Sequence, residues 1–462
     1  MKRIPFLSFV LFLGDILLFY GALALTLFLR YQGDSFAAHW ELHKAPFTIL
    51  LILWLFVFYI GGLYERKSLK ATAALQEKII RNIIAGGIIG AFLFYLIPYF
   101  GIAPKTNLLI HIILVTLFLS AWRSIIARYL ATSLRTKILF FGASSDALDM
   151  MEYLNANPQL GFEPAGVMTT NEKILSLQSV KTFSFDNHLT DIIQREKINL
   201  VVASADIKQN EAVVRMLYQV LPLGISFMDF PAFYEFITGK IPTSLINEAW
   251  FLENLAQLKN NFNDVIKRAL DVVLALIGTA LTILLFPFIA LAIKVTSPGP
   301  ILIRQVRIGK NKKEFTLVKF RSMIALSKDG LAEKEGSPIW AEHKDPRITR
   351  IGNFLRKTHL DELPQVWNIL KNDISVVGPR PERPEIVTRL EDMIPHYTMR
   401  HLIKPGVTGW AQINMPQMYA GSVEETLEKL QYDLYYIKHQ SPVIDISIIL
   451  KTILLTLTRR GR

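Results

Sequence analysis

The chain has 462 residues, 51% of them hydrophobic and 19% charged, with a formal net charge of +12 and no cysteine. Soluble domains hold about 45–50% apolar residues even with glycine counted, so a membrane protein is expected, and zero cysteine excludes disulfides, thioether haem and thiolate metal sites. The positive balance suits anionic lipid head groups or anionic substrates; with no zinc-finger spacing and no aromatic-interleaved basic module, nucleic acid is not expected as a partner.

Four apolar runs open the chain, at residues 4–29, 45–63, 79–100 and 108–126. Each approaches the ~20 residues needed to cross about 30 Å of hydrocarbon. The first is too long for a signal-peptide core and reads as a retained span. Lys2 and Arg3 precede it, Arg66, Lys67, Lys70, Lys78 and Arg81 separate the second and third runs, and Arg123, Arg128, Arg135 and Lys137 follow the fourth. The opposite loops hold only Arg30, Lys44 and Lys105. The positive-inside rule therefore places both ends of a four-span bundle, residues 1–130, in the cytoplasm. Asp15 lies well inside the first span, where a carboxylate costs about 2.5–3.5 kcal/mol; it reads as an interhelical or capping contact rather than a proton relay.

Residues 135–250 change to a soluble α/β pattern. A buried strand at 137–143 ends on a glycine, helices are expected at 146–154 and 211–221, and further strands at 199–204 and 225–228. Alternation of this kind predicts a parallel, doubly wound sheet. The turn after the first strand reads Gly142-Ala-Ser-Ser-Asp-Ala147 and keeps only the first glycine of the dinucleotide fingerprint. Without the second, the backbone cannot approach a pyrophosphate closely, so a structural or regulatory domain is expected ahead of a cofactor domain. Residues 230–250 read as a connector.

The rest, 260–462, carries the chemistry. An apolar stretch at 268–295 is long enough to span but contains Pro287, and cations flank both ends: Lys267 and Arg268 at one, Lys294 at the other. Proline removes a helical hydrogen bond and favours a kink or break; a re-entrant helix fits these signs better than a fifth span. Short strands are expected at 301–305 and 315–320, with Lys319, Arg321 and Ser322 closing the second, then a polar stretch at 329–342 as a candidate lid. Arg380 stands between Pro379 and Pro381, which would present a guanidinium with little residual freedom for bidentate phosphate recognition. A further basic, glycine-punctuated loop contains Arg400, His401 and Trp410. His401 reads either as a base or as a structural histidine. The last apolar run, 443–457, holds Asp445 and Lys451 and is expected at the bilayer surface, with Arg459, Arg460 and Arg462 toward head groups.

Within this region Leu360-Asp361-Glu362-Leu363-Pro364-Gln365 sets two adjacent carboxylates among Arg347, Arg350, Arg356 and Lys357. That combination suits phosphate chemistry: cations gather the phosphates, one carboxylate holds a divalent metal, the other acts as base or nucleophile. A bland alternative fits the same residues, because Thr358 followed by Asp361 matches a capping box and Pro364 is tolerated in a first helical turn.

From about Lys267 to the C terminus the chain resembles the catalytic domain of bacterial polyprenyl-phosphate sugar phosphotransferases, the monotopic phosphoglycosyl transferases. The resemblance rests on motifs in order: Lys267-Arg268 with Asp271, Ser297-Pro-Gly-Pro300, Gln305-Val-Arg-Ile-Gly309, Lys319-Phe-Arg-Ser-Met323, Asp345-Pro-Arg-Ile-Thr349, 360–365, Gly378-Pro-Arg-Pro381 and Pro405-Gly-Val-Thr-Gly-Trp-Ala-Gln412. The four spans and the degenerate nucleotide-binding-like domain extend it to the large, multidomain form. The resemblance implies transfer of sugar 1-phosphate, of the hexose type, from a UDP-sugar to undecaprenyl phosphate, with release of UMP, at the start of exopolysaccharide, capsule or O-antigen synthesis. It implies Asp361 as nucleophile through a covalent aspartyl phospho-sugar, Asp361 and Glu362 at Mg2+, and Lys319, Arg321, Arg356, Arg380 and Arg400 as phosphate contacts. It places the protein in the bacterial inner membrane, multi-pass, with the catalytic domain on the cytoplasmic face. The spans and the spare α/β domain offer surface for a homodimer.

Two positions depart from the family pattern. Phe286 stands before Pro287 where relatives often have serine, and Ile-Asn-Met-Pro-Gln-Met418 lacks a glycine common after the asparagine. Two rival functions are a non-catalytic membrane scaffold, against which the intact Asp361, Glu362 and Arg380 count, and a nucleotide-sugar dehydratase or epimerase, against which the lost glycines count.

Overall fold

The four N-terminal runs form helices α1 (Arg3–Arg30), α2 (Ser35–Ile60), α3 (Ala73–Leu96) and α4 (Lys105–Thr132) in a computed structural model that describes residues 3–31, 35–70, 73–96, 105–132, 135–142, 144–169, 181–184, 189–203, 211–255, 261–325, 347–415 and 422–457. The expected lid at 329–342, Asp345, residues 416–418 and Arg459, Arg460 and Arg462 lie outside the described residues. The chain divides into two units, Met1–Phe233 and Tyr234–Arg462.

In the first unit, α1 to α4 are 24 to 28 residues long, about 36–42 Å at 1.5 Å per residue, enough to cross a bilayer. α1 packs on α2 and α4, and α3 on the same two helices. Phe19, Phe47, Trp54 and Leu119 fill the space between them, while Leu17, Phe56, Ile84 and Leu117 point outward. Asp15 is the interhelical contact expected of it: its Oδ2 accepts from Arg123 Nη2 on α4 at 2.5 Å, both side chains being sealed from solvent. Arg123 Nη1 also donates to the Leu63 carbonyl at 2.9 Å.

The same unit contains a five-stranded sheet in the order 182–183, 162–168, 136–141, 200–203, 226–229, parallel as the alternating pattern predicts but with two strands, 162–168 and 182–183, beyond the three expected. Its strands are β1 (Thr136–Phe141), β2 (Phe162–Met168), β3 (Thr182–Phe183), β4 (Leu200–Ala203) and β5 (Ser226–Asp229). Among the described residues, three α-helices connect them: α5 (Ser145–Ala156), α6 (Leu189–Glu196) and α7 (Glu211–Gln219). Leu139, Phe141 and Val201 are buried in its core. Gly142, at φ 85°, closes β1 in the left-handed region that favours glycine.

The boundary between the units falls inside α8 (Phe230–Thr238), and α9 (Glu248–Leu255) follows. In the second unit α10 (Asn261–Thr296) is one helix of 36 residues that runs without interruption through Pro287. It is followed by an antiparallel hairpin, β6 (Leu302–Ile308) and β7 (Glu314–Phe320), then α11 (Arg350–Lys357), a 3₁₀ turn (Leu360–Gln365), α12 (Val366–Leu370) and β8 (Ser375–Val377). α13 (Pro384–Met393), β9 (Gly406–Thr408), α14 (Trp410–Asn414), α15 (Val423–His439) and α16 (Pro442–Leu457) complete it, with β8 and β9 paired in parallel.

One face of α10 packs against this unit from Lys267 to Ile293. Lys267 Nζ donates to the Val377 carbonyl, Tyr436 Oη and Asp445 Oδ2 at 2.8–3.0 Å. Arg268 caps the C-terminal end of α12 through the Ile369 and Leu370 carbonyls. Asp271 Oδ1 accepts from Ser375 Oγ and from the Val376 N–H. Ala275 packs with Leu317, Ile369 and Ile374, and a Cβ at Gly278 would come within 2.8 Å of Val366. Ile289 and Ile293 meet Phe320 and Leu355. Asp271, Ala275 and Gly278, and again Ile289 and Ile293, are three or four residues apart, and the eleven residues from Gly278 to Ile289 make about three turns, so they fall on a single helical stripe. The other side presents Ile277, Ile283, Leu284, Phe288, Leu291 and Val295 as exposed apolar residues. In α16, Asp445 is turned inward to Lys267 and Tyr436, while Val443, Ile446 and Ile453 face out.

Candidate active site

Thr349 caps α11 by accepting from the Gly352 N–H at 2.9 Å, a standard stabilisation of a helix start. Thr358 closes that helix instead of opening the next: its hydroxyl donates back to the Phe354 and Leu355 carbonyls. The capping-box reading of Thr358 and Asp361 therefore does not hold. The chain reverses at His359, whose φ of 55° is unusual for a side-chain-bearing residue. Asp361 and Glu362 then fall in the first turn of the 3₁₀ segment, only 4% and 8% exposed. Asn368 ties the following helix to β7, accepting from the Val318 N–H and donating to the Thr316 carbonyl.

The hairpin brings cations to this turn. In the β6–β7 register Arg307 lies opposite Phe315 and Ile303 opposite Lys319, and the two-residue period of strands puts Arg307 and Lys319 on one face. Burial and the neighbouring Arg307 and Arg356 charges pull the Lys319 ammonium down to about 7, against the opposing pull of Asp361 and Glu362. Arg356, from the last turn of α11, donates through Nε to Ser322 Oγ at 2.9 Å. Arg380 Nη2 donates to Glu362 Oε1 at 2.7 Å and stays 39% exposed. Glu362 holds that guanidinium more firmly charged than an ordinary arginine. Glu362 thus meets Arg380, and both carboxylates act on Lys319, which Arg356 also flanks; cations gathered in this way suit binding of phosphate oxygens and stabilisation of charge that moves between them.

Arg321 and Arg400 are placed differently. Arg321 directs Nη1 to the Pro298 carbonyl at 2.6 Å and Nη2 to the carbonyl and hydroxyl of Ser297 at 2.7 and 3.0 Å. It fastens the turn after α10, where Gly299 leaves room that a Cβ would take from the guanidinium. Arg400, buried, donates to Asp433 Oδ2 from Nε and Nη2, to Tyr397 Oη, and to the Arg380 carbonyl. His401 is also buried, and burial with the Arg400 charge brings it down to about 3, so it stays neutral.

The sequence alone assigns no site role to Arg307, which stands in the 305–309 motif, to Glu382, which ends the Arg380 loop, or to Asp433 on a later helix. Burial pushes Glu382 upward, but Lys429, Arg400 and Arg307 outweigh it and hold the carboxyl at about 2. Its position directly after Pro381 was the available signal; Asp433 lies 33 residues beyond Arg400 and had none. A polar cavity of about 260 Å³ at the foot of α10, lined by Asn263, Asp264, Lys267, Ser441 and Asp445 among others, is separate from the carboxylate pair.

Among the described residues no group of three or more histidine or acidic side chains is poised to hold a metal. Asp361 and Glu362 are the adjacent carboxylates that would offer oxygens to a hard divalent cation such as Mg2+, a metal usually bound through one or two carboxylates with substrate phosphates and water supplying the rest.

Residues 262–459 match the bacterial sugar transferase family profile, and residues 59–228 match the profile of a CoA-binding domain. The chain is 41% identical over 196 residues to the UDP-N-acetylgalactosamine-undecaprenyl-phosphate N-acetylgalactosaminephosphotransferase of Aeromonas hydrophila, covering 42% of this chain and 44% of the relative. It is 32% identical over 314 residues to the UDP-glucose:undecaprenyl-phosphate glucose-1-phosphate transferase of Escherichia coli K12, covering 66% and 64%. The corresponding protein of Klebsiella pneumoniae is 30% identical over 325 residues, covering 69% and 67%. The matches thus span from under half to about two thirds of these relatives' lengths.

Proposed function

The chain belongs to the bacterial sugar transferase family, and from that premise we propose that it moves a hexose-type sugar 1-phosphate from a UDP-sugar to undecaprenyl phosphate, releasing UMP and starting assembly of a surface polysaccharide. The observation that carries this reading is the buried Asp361–Glu362 pair, with Arg380 on Glu362 and Lys319 under the influence of both carboxylates.

In the first step an Asp361 oxygen attacks the phosphorus that bears the sugar. An Asp361–phosphorus bond forms, the bond to the UMP oxygen breaks, and UMP leaves with the electron pair. In the second step a phosphate oxygen of undecaprenyl phosphate attacks the same phosphorus, and the Asp361 carboxylate is regenerated. A carboxylate approaching a diphosphate meets repulsion of about 4 kcal/mol per unit pair at 4 Å and an effective dielectric of 20. Lys319, Arg356 and Arg380 offset it, and Arg380 orients Glu362 through the 2.7 Å contact. A divalent cation at Asp361 and Glu362 supplies further neutralisation when bound.

Both substrates must reach Asp361, one from water and one from lipid. For this α10 would enter the inner membrane from the cytoplasmic face and return to it, in contrast to α1–α4, which span; because α10 is one continuous helix and shows no break at Pro287, this return requires a bend within the helix, for which Pro287 removes one backbone hydrogen bond. Support comes from the packed stripe: a polar domain lies against α10 from Lys267 to Ile293, and a straight crossing would draw that domain into hydrocarbon. The chain has no native cysteine, so Glu253→Cys and Lys310→Cys can be labelled individually; both are expected to react only from the cytoplasm, and labelling from opposite sides would rule out re-entry. For the reaction, UMP release from a panel of UDP-sugars should require undecaprenyl phosphate for multiple turnover and stop on chelation. A protein that releases no UMP from any of them does not have this activity.

A further inference from the structure

The Arg380 loop has an unusual way of being held. Pro379 and Pro381 have no N–H, so the loop must be anchored through its carbonyls. Four in succession are engaged, each by a different group: Pro379 O by the Gly406 N–H at 2.9 Å, Arg380 O by Arg400 Nη2 at 3.0 Å, Pro381 O by Arg307 Nη1 at 3.2 Å, and Glu382 O by the Ile308 N–H at 3.0 Å. The two central anchors are side chains. Arg400 is fixed in turn by Asp433, at 2.8 and 3.1 Å, and by Tyr397, at 2.6 Å, with its side chain and that of Asp433 each 2% exposed. Arg307 is steadied by Gln305 Oε1 at 2.9 Å. On the far side of the same loop the Arg380 guanidinium leaves the protein interior and meets Glu362.

We propose that Arg400, assisted by Arg307, is a positioning residue: it grips the Arg380 carbonyl from behind and thereby fixes where the Arg380 guanidinium stands relative to Glu362 and an incoming phosphate. Four of the five N–H donors of Arg400 are committed to Asp433, Tyr397 and Arg380, and the side chain is sealed from solvent, so its effect passes through Arg380. A planar fork can bond a carboxylate and a carbonyl together, which a lysine ammonium on a flexible stem cannot reproduce. Displacements of the order of 1 Å in such a support can cost about 100-fold in rate.

This role rests on the transferase reading, and a double-mutant cycle on UMP release tests the two separately. Arg400→Lys is expected to lower kcat about 10- to 100-fold with little change in the KM for the UDP-sugar. In an Arg380→Ala background the same substitution should cost less than about 3-fold, because the group it positions is gone. Equal losses in both backgrounds would overturn the positioning role, whether Arg400 bound phosphate directly or only stabilised the fold. If Arg400→Lys does not fold, Arg307→Lys carries the same cycle, and equal losses there overturn the proposal likewise. A wild-type protein that releases no UMP overturns the functional reading itself.

Discussion

Asp15–Arg123 among the N-terminal helices and Glu362–Arg380 in the second unit are both carboxylate–guanidinium pairs, at 2.5 and 2.7 Å. Their surroundings differ. The first is sealed on both sides, at 0% and 1% exposure, and Arg123 spends its other amino group on the Leu63 carbonyl. In the second the carboxylate is 8% exposed but the arginine is 39% exposed, beside a second carboxylate and a lysine held near neutrality. A sealed pair holds helices together, and breaking it leaves a charge stranded. A pair that is closed on one side and open on the other keeps its cation available to a ligand.

That contrast can be broken by removing one partner from each. Arg380→Ala is expected to reduce turnover by about 10²- to 10³-fold with a small shift in detergent melting temperature. Asp15→Asn is expected to lose about 3–5 kcal/mol of stability with turnover per folded molecule retained. Thermal unfolding measured alongside UMP release checks both; swapped outcomes would mean that exposure does not separate the two roles. A smaller effect concerns Lys319, which is held near 7 by burial and by Arg307 and Arg356. Below that pH it is cationic and above it neutral, so the KM for the UDP-sugar should rise about several-fold between pH 6 and pH 8.5. Lys319→Arg should flatten the profile, and an unchanged slope would remove Lys319 from phosphate binding.

Much of the site was legible because its chemistry is local. Asp361, Glu362 and Arg380 stand in short motifs whose residue types state their use. Arg321 and Arg400 were less legible, since a guanidinium reads alike whether it meets phosphate or a carbonyl. Only the fold brings Ser297 to one and Asp433 and the Arg380 carbonyl to the other. Thr358 shows the same limit at shorter range: its pattern suits a helix start, but Thr349 had already opened α11 and the turn at His359 leaves Thr358 to close it. The parallel sheet followed from alternation of strands and helices. The stripe on α10 was obscured by uniform apolarity, which hides which face meets protein.

A covalent phospho-sugar on Asp361 is the step on which the proposed transfer stands. Intact mass of the wild-type protein mixed with a UDP-sugar it accepts, without undecaprenyl phosphate, should increase by one phospho-sugar; the added mass should disappear when the lipid phosphate is supplied, and Asp361→Asn, folded as judged by its melting curve, should show no increase. An active wild-type protein with no mass gain, or a gain that persists in Asp361→Asn, would contradict the account.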